Sequence, residues 1–267
     1  MFKKFMAVVL SVTLLGSSSA FAATDSTGGN TEKQEWQNTS EVILQGELVG
    51  TKVQDVSYIR EVDSEGEIKV TLTTNTHYDL LPTASEEQRE VLQDDIRTDI
   101  IEATKDNELL LNGEEVTDEA NLIPNFASKS VTSPTAFAVA ANDKGGIPSV
   151  CHYYGNFTNY SYGCYNGVSV FGNPKGSNVQ KSNIPISNTY ATRAQTTIDT
   201  FQINYNSMTS NLKAFVGLTG LTIIGIETII GAVVAGGAAG KAASDVYGNY
   251  NDANDNLKKA YGYISSM

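Results

Sequence analysis

The residues best suited to chemistry in this chain are two cysteines, Cys151 and Cys164, and two histidines, His77 and His152. An even pair of cysteines favours a disulfide if the chain reaches an oxidising compartment, and a bridge at this spacing would add about 3 kcal/mol of stability. The alternative is a catalytic thiol, because His152 directly follows Cys151. Catalytic partners must converge in the fold, which sequence neighbours rarely do, so the disulfide is the better prediction.

Motifs of the common enzyme classes are missing from the sequence. It contains no G-x-S-x-G, no H-E-x-x-H, no phosphate-binding G-x-x-x-x-G-K-[ST] and no Cys/His cluster with zinc spacing. The many carboxylates occur at the density of a solvated surface. We therefore expect a protein that is not an enzyme and has no cofactor and no metal site.

The first 22 residues have the three parts of a secretory signal. Lys3 and Lys4 are followed by a short apolar stretch at 6–15 and by Ala20-Phe21-Ala22, an A-x-A cleavage site. The apolar stretch is too short to span a bilayer. These features predict removal of residues 1–22 and a secreted, extracellular protein. Because the extracellular space is oxidising, this prediction supports a disulfide between the two cysteines.

Charge divides the chain into two unlike parts. Residues 24–146 carry 25 acidic and 9 basic side chains, whereas residues 147–267 carry 5 acidic and 7 basic ones. Such asymmetry suggests two units with different tasks. Nucleic acid is not expected as a partner, because no basic stripe is present to neutralise phosphates.

The acidic part predicts a small α+β domain over residues 41–126, after a disordered lead-in at 24–40. Period-two alternation predicts strands at 41–51, 52–61 and 67–76, with a turn at 63–66. A capping box at Ser85 and Gln88, followed by spaced apolar residues, predicts a helix over 85–104. Asn112 and Gly113 between apolar residues predict a hairpin.

The second part begins after a linker at 127–148, which is rich in small residues, glycine and proline and which a processing protease could cut. A Tyr/Asn-rich region at 149–188 contains both cysteines and predicts short strands and turns. Residues 189–267 then predict an antiparallel helical hairpin, because apolar positions recur in steps of three and four along 189–215 and 243–267. The complete chain is thus predicted to be of the α+β class.

Between these two helices lies an apolar, glycine-rich segment, 214–239, with Glu227 as its single charge. As one helix its 26 residues would reach about 39 Å, enough to cross a bilayer, and Glu227 would cost roughly 3 kcal/mol there. Three interpretations remain open: insertion into a membrane, a soluble core hairpin and a permanent anchor. A break near Glu227 would give two short helices instead. The residues predicted to carry insertion are Phe215, Leu221, Ile223, Ile224, Glu227, Ile229, Ile230, Gly236 and Gly240.

Two resemblances bear on function. Residues 151–156 read CHYYGN, which is similar to the start of the YGNGV box of pediocin-like bacteriocins, although the cysteines are placed differently. The order of a secretory signal, an acidic half and a glycine-rich apolar helix resembles large secreted bacteriocins of the geobacillin type, and precursors of sporulation-delaying-type toxins have a similar order. This resemblance implies a toxin active on related bacteria, with an immunity protein as a partner.

The sequence therefore favours a secreted antibacterial toxin that inserts 214–239 into a target bacterial membrane, with self-association as a further expectation. Its acidic half would act as a propeptide or solubility domain. Two alternatives stay open. One is a non-enzymatic binding module of the cell envelope, based on the Tyr/Asn-rich region. The other is a protease inhibitor or propeptide-like protein, based on the small α+β domain.

Overall fold

The computed structural model of the chain describes residues 30–106, 108–116, 150–153, 160–166, 169–174, 179–182, 187–221 and 225–267. These residues form a six-stranded antiparallel sheet, a four-stranded antiparallel sheet and four helices. The α+β class is therefore confirmed. The predicted signal sequence, the predicted lead-in up to residue 29 and the predicted linker at 127–148 lie outside the described residues.

The first sheet contains its six strands in chain order. They are β1 Asn30–Leu44, β2 Glu47–Val62, β3 Ile68–Leu80, β4 Asp95–Ala103, β5 Leu109–Leu111 and β6 Glu114–Glu115. The β5–β6 turn has Asn112 and Gly113 at φ of 52° and 83°, the two positive values that a type I′ hairpin turn requires. The predicted hairpin is thus confirmed.

The turn predicted at 63–66 is also confirmed, between β2 and β3. The Asp63 carboxylate accepts the backbone N–H groups of Glu65 at 2.8 Å and Glu67 at 2.9 Å. By contrast, the strand predicted over 41–51 is interrupted by a tight turn at Gln45 and Gly46, with φ of 54° and 84°.

The helix predicted over 85–104 is wrong in its second half. Its capping box is present, with Gln88 N–H donating to Ser85 Oγ at 3.2 Å and Ser85 N–H to Gln88 Oε1 at 2.9 Å. The helix α1, however, covers only Glu86–Val91, and the chain then enters β4, which pairs with β3 along its whole length. The spacing of Ile96, Ile100 and Ile101 is compatible with the period of a helix and with that of a strand. Residues 95–103 form a strand because the edge of β3 offers unpaired backbone groups.

The disordered lead-in predicted over 24–40 is wrong from Asn30 onwards, because β1 begins there and pairs with β2 throughout. The polarity of this stretch suggested disorder. In the structure two of its polar side chains bond to α4. Asn38 Nδ2 donates to Asp245 Oδ1 at 2.7 Å, and Glu32 Oε1 accepts from Gly237 N–H at 3.2 Å.

The second sheet has the order β10-β9-β8-β7. Its strands are β7 Val150–Tyr153, β8 Tyr160–Asn166, β9 Ser169–Pro174 and β10 Val179–Ser182, which confirms the short strands predicted for the Tyr/Asn-rich region. The backbone register places Cys151 of β7 directly opposite Cys164 of β8. The side chains of both cysteines lie outside the part of the structure that is described, and the disulfide stays a prediction.

Three helices complete the fold, namely α2 Thr189–Thr219, α3 Ile226–Ala235 and α4 Gly237–Ser265. The start of α2 packs against the end of α4, with Ala194 and Ile198 beside Ala260 and Ile264. The predicted antiparallel helical pair is therefore confirmed. The predicted apolar face of α2 is buried except for the half-buried Tyr205, whereas Tyr250, Asn254 and Tyr261 on the predicted face of α4 are only partly buried.

Sheet and helices share one hydrophobic core. Val56, Tyr58 and Leu72 of the sheet belong to the same cluster as Phe201, Leu212 and Ile229 of the helices. The acidic stretch within 41–116 and the helices of 189–267 are consequently not separately cored units. The sheet supplies one wall of the core and the helices supply the other.

Candidate functional site

The apolar segment 214–239 is distributed over three helices rather than one. Its first residues end α2, where Gly220 takes the left-handed C-cap conformation at φ 70°. Its centre forms α3, and a corner at Gly236 leads into α4. Among the described residues, no helix combines the length and apolarity needed to span a bilayer.

Helix α3 lies with its apolar side against the first sheet and α4. Ile229, Ile230 and Val233 are fully buried, and Val234 is 5% exposed. They pack in one cluster with Tyr58, Val70, Leu72 and Ile101 of β2, β3 and β4. Burial of side chains of this size is worth ~1.5–3 kcal/mol each, so α3 has a strong reason to stay on the sheet in water.

Three side chains of β1 and β2 hold the corner between α3 and α4. The buried Tyr58 hydroxyl donates to the carbonyl of Val233 at 2.8 Å, and Arg60 Nε donates to the carbonyl of Val234 at 2.6 Å. Glu32 Oε1 accepts the N–H of Gly237 at 3.2 Å, which places an anion at the N-terminus of α4. Burial and, second, the Glu32 carboxylate raise the pKa of Tyr58 well above its usual range, so the phenol remains a donor.

Glycine is required at this corner for two reasons. Gly236 has φ 80° and ψ −164°, a conformation almost restricted to glycine. A Cβ there would also lie 2.6 Å from Glu32 Oε2 and 3.1 Å from Arg60 Cδ. Gly237 has φ 65° but open space around it. Gly240, one turn later, lies close to the carbonyl of Ala232, which a Cβ would meet at 3.3 Å.

A polar cluster fastens the middle of α4 to the sheet. Lys52 Nζ contacts Asp252 Oδ2 at 2.6 Å, and Arg97 Nη1 contacts Asp252 Oδ1 at 2.8 Å. Gln54 donates to the same carboxylate at 3.0 Å, and Arg97 also pairs with Asp99 at 3.1 Å. Burial alone would raise the pKa of Asp252, but the two adjacent cations outweigh it and lower the pKa.

Asp245 makes a second polar attachment between α4 and the sheet, and it lies nearer than Asp252 to the corner at Gly236. Its Oδ1 accepts from Trp36 Nε1 at 2.8 Å and from Asn38 Nδ2 at 2.7 Å. Burial raises the pKa of this carboxyl, and the two hydrogen bonds only partly oppose the effect. Asp245 and Asp252 thus attach α4 to the sheet through side-chain hydrogen bonds and ion pairs. Helix α3 is attached mainly through apolar contacts and through its last carbonyls, which accept from Tyr58 and Arg60.

A histidine cluster lies apart from this region on an exposed surface. His77 Nδ1 contacts Asp94 Oδ2 at 2.6 Å, and His77 Nε2 contacts Asp79 Oδ1 at 3.0 Å. The hydrogen bond to Asp94 and then that to Asp79 raise the pKa of His77. No group of acidic, histidine or cysteine side chains in the described parts of the chain has an arrangement that could hold a metal ion.

The predicted insertion residues occupy different environments. Phe215, Ile229 and Ile230 are fully buried, Leu221 is 41% exposed, and Glu227 lies exposed in the first turn of α3. Gly236 and Gly240 lie at the corner, while Ile223 and Ile224 are outside the described residues. The structure thus brings part of the set together but separates Leu221 and Glu227 from the buried face.

The sequence-based prediction missed the residues that hold the helices, among them Tyr58, Arg60, Lys52 and Asp252. One signal was present. Lys52 falls on the inward phase of β2, between buried residues at Gly50 and Gln54, and a lysine there needs a buried partner. Nothing local indicates that the partner is 200 residues away.

No family model matches the chain, and no curated protein or solved structure was found to be similar to it.

Proposed function

We propose that this protein is a secreted antibacterial toxin, and that the described structure is its water-soluble form. The observation that carries the proposal is α3, a ten-residue helix whose one charge is Glu227 and whose apolar face is covered by the chain's own sheet. Gly225 precedes it and Gly236 follows it, so backbone rotation at two glycines could detach it. The acidic sheet acts as an intramolecular cover for the apolar helix.

Insertion would require the helices to join. Segment 214–239 consists of the last residues of α2, all of α3, the first residues of α4 and the connections between them. Its 26 residues are long enough for a bilayer only as one helix. Thr219, the threonine of α2 that lies in this segment, suits such a change of environment, because its hydroxyl already donates to the carbonyl of Phe215 on its own helix at 2.9 Å.

Leakage from dye-loaded anionic vesicles tests the proposal, using the full chain without residues 1–22. The intact chain is preferable to the helices alone, because the sheet forms half of the core. We expect dye release and killing of related bacteria. If vesicles and living cells both stay intact over a wide range of protein concentrations, the proposal fails.

We also propose that Cys151 and Cys164 form a disulfide in the secreted protein. Directly opposite residues of antiparallel strands have Cα atoms about 4.5 or 5.5 Å apart, within the range that a disulfide spans. Mass spectrometry of the protein alkylated without reduction should show no modified cysteine, and modification of both would refute the bridge.

One observation favours a second candidate, the non-enzymatic envelope-binding module. Strand β8 carries Tyr160, Tyr162 and Tyr165 in a small sheet beside α4, and tyrosine is suited to contact with glycans and proteins. Binding to isolated cell walls, with no vesicle leakage, would favour this candidate over the toxin.

A further inference from the structure

The end of α2 exposes two leucines. Leu218 is 61% exposed and Leu221 is 41% exposed, although Leu212 and Phe215 on the preceding turns are fully buried. Gly220 ends α2 in a left-handed C-cap, with its N–H bonded to the carbonyl of Val216, so Leu218 lies in the last turn of the helix and Leu221 just beyond it. We call Leu218 and Leu221 the tip.

Charge distinguishes the tip from the rest of this acidic protein. Between residues 201 and 240 the sequence has only two charged side chains, Lys213 and Glu227, and both are exposed. The chain as a whole has a net charge of −12. An anionic surface repels the acidic sheet, so the uncharged apolar end near Lys213 can approach such a surface at the lowest electrostatic cost.

A second pair of exposed leucines provides a comparison. Leu48 at the start of β2 is 48% exposed and Leu81 after β3 is 40% exposed, and Leu81 N–H bonds to the carbonyl of Val49. This pair therefore has a similar apolar exposure, but acidic side chains adjoin it, Glu47 in sequence and Asp79 two residues before Leu81. Apolar exposure alone would make the two pairs equivalent, whereas the surrounding charge favours the tip.

We propose that the tip is the surface through which the folded protein first contacts an anionic lipid bilayer, before α3 leaves the sheet. The inference rests on the proposed function and adds the site of first contact. Leu218 and Leu221 enter the interface, and Lys213 lies near the lipid headgroups. The tip belongs to the same apolar segment as α3, so docking there brings the N-terminus of α3 to the membrane without prior unfolding.

Sedimentation with vesicles of phosphatidylglycerol and phosphatidylcholine tests this inference on the full chain without residues 1–22. We expect the double variant Leu218→Ser/Leu221→Ser to lower the partition constant at least tenfold, because most of the inserted apolar area is lost. The matched control Leu48→Ser/Leu81→Ser should change it less than twofold. Equal effects of the two double variants, or none at the tip, would overturn the inference.

A charge variant adds an independent readout. Lys213→Glu should weaken binding several-fold at low salt, and the difference from the unmodified protein should shrink in high salt. Lys259→Glu is the control, since it makes the same charge change at an exposed position near the end of α4, which packs against the start of α2. An identical loss for both variants would mean that net charge and not the tip governs binding.

Leakage measured on the same samples separates this inference from the proposed function. Binding through the tip without dye release would leave the inference standing and contradict the toxin. Dye release that the tip variants do not reduce would support the toxin and contradict the tip. A protein that neither binds nor releases dye would contradict both.

Discussion

Lys52 and Asp252 form a buried ion pair that joins β2 to α4, with 2.6 Å between Nζ and Oδ2. Lys52 is 2% exposed, and Asn204 of α2 accepts a further hydrogen bond from its ammonium group at 2.9 Å. One lysine thus connects the sheet to both long helices. Removing two charges from water costs free energy that their attraction only partly offsets. We therefore expect the pair to fix the position of the helices on the sheet more than to add net stability.

Lys52→Met should lower the free energy of unfolding by about 3–5 kcal/mol, because Asp252 keeps its charge but loses one of its two cations. Urea unfolding followed by circular dichroism gives the difference. The control is Lys69→Met, which removes an exposed pair with Glu102 at 3.5 Å and should cost less than about 1 kcal/mol. Equal effects would show that the buried pair contributes no more than a surface pair.

Gly236→Ala should destabilise the corner between α3 and α4 by about 3 kcal/mol, through an unfavourable backbone conformation and a collision with Glu32. Hydrogen exchange should then rise in α3 more than in α4, which Asp245 and Asp252 still attach to the sheet. Gly237→Ala introduces backbone strain without a collision and should cost about 1–2 kcal/mol. If exchange rises equally in α3 and α4, α3 does not open as a separate unit.

His77 should make the protein more stable at mildly acidic than at alkaline pH. Its pKa in the folded state is raised by Asp94 and Asp79, so folding favours the charged imidazolium. The contribution is complete below the unfolded pKa near 6.5 and is lost as the pH rises through the higher folded pKa. The free energy of unfolding should therefore depend less on pH between 6 and 9 in His77→Gln, as measured by urea unfolding. A pH dependence unchanged by His77→Gln would refute the role.

Glu227→Leu should strengthen partition into vesicles of uncharged phosphatidylcholine, and Glu227→Lys should weaken it. The residue is exposed in the first turn of α3, so neither variant disturbs the core, and Leu removes the one charge of the inserted segment. Lys keeps a charge there and also opposes the dipole at the N-terminus of α3. Equal vesicle partition of the two variants would remove Glu227 from the mechanism.

Local sequence patterns determine several elements of this fold by themselves. The three–four spacing of Ala194, Ile198 and Phe201 specifies a buried helix face, because only a helix brings those positions to one side. Asn112 and Gly113 specify their turn, since both tolerate the positive φ that the hairpin needs. In each case the information lies within a few residues of the element that it describes.

The tertiary structure alone decided the rest. Residues 95–103 become a strand because β3 offers unpaired backbone groups along its edge, and β1 is ordered because β2 and the helices bind its polar side chains. The position of the apolar segment was decided in the same way. Its composition suits a bilayer or a core equally, and it lies in a core here because Tyr58, Val70 and Leu72 form an apolar surface that covers it. Those partners lie more than 140 residues away, and no local pattern records which of them will meet.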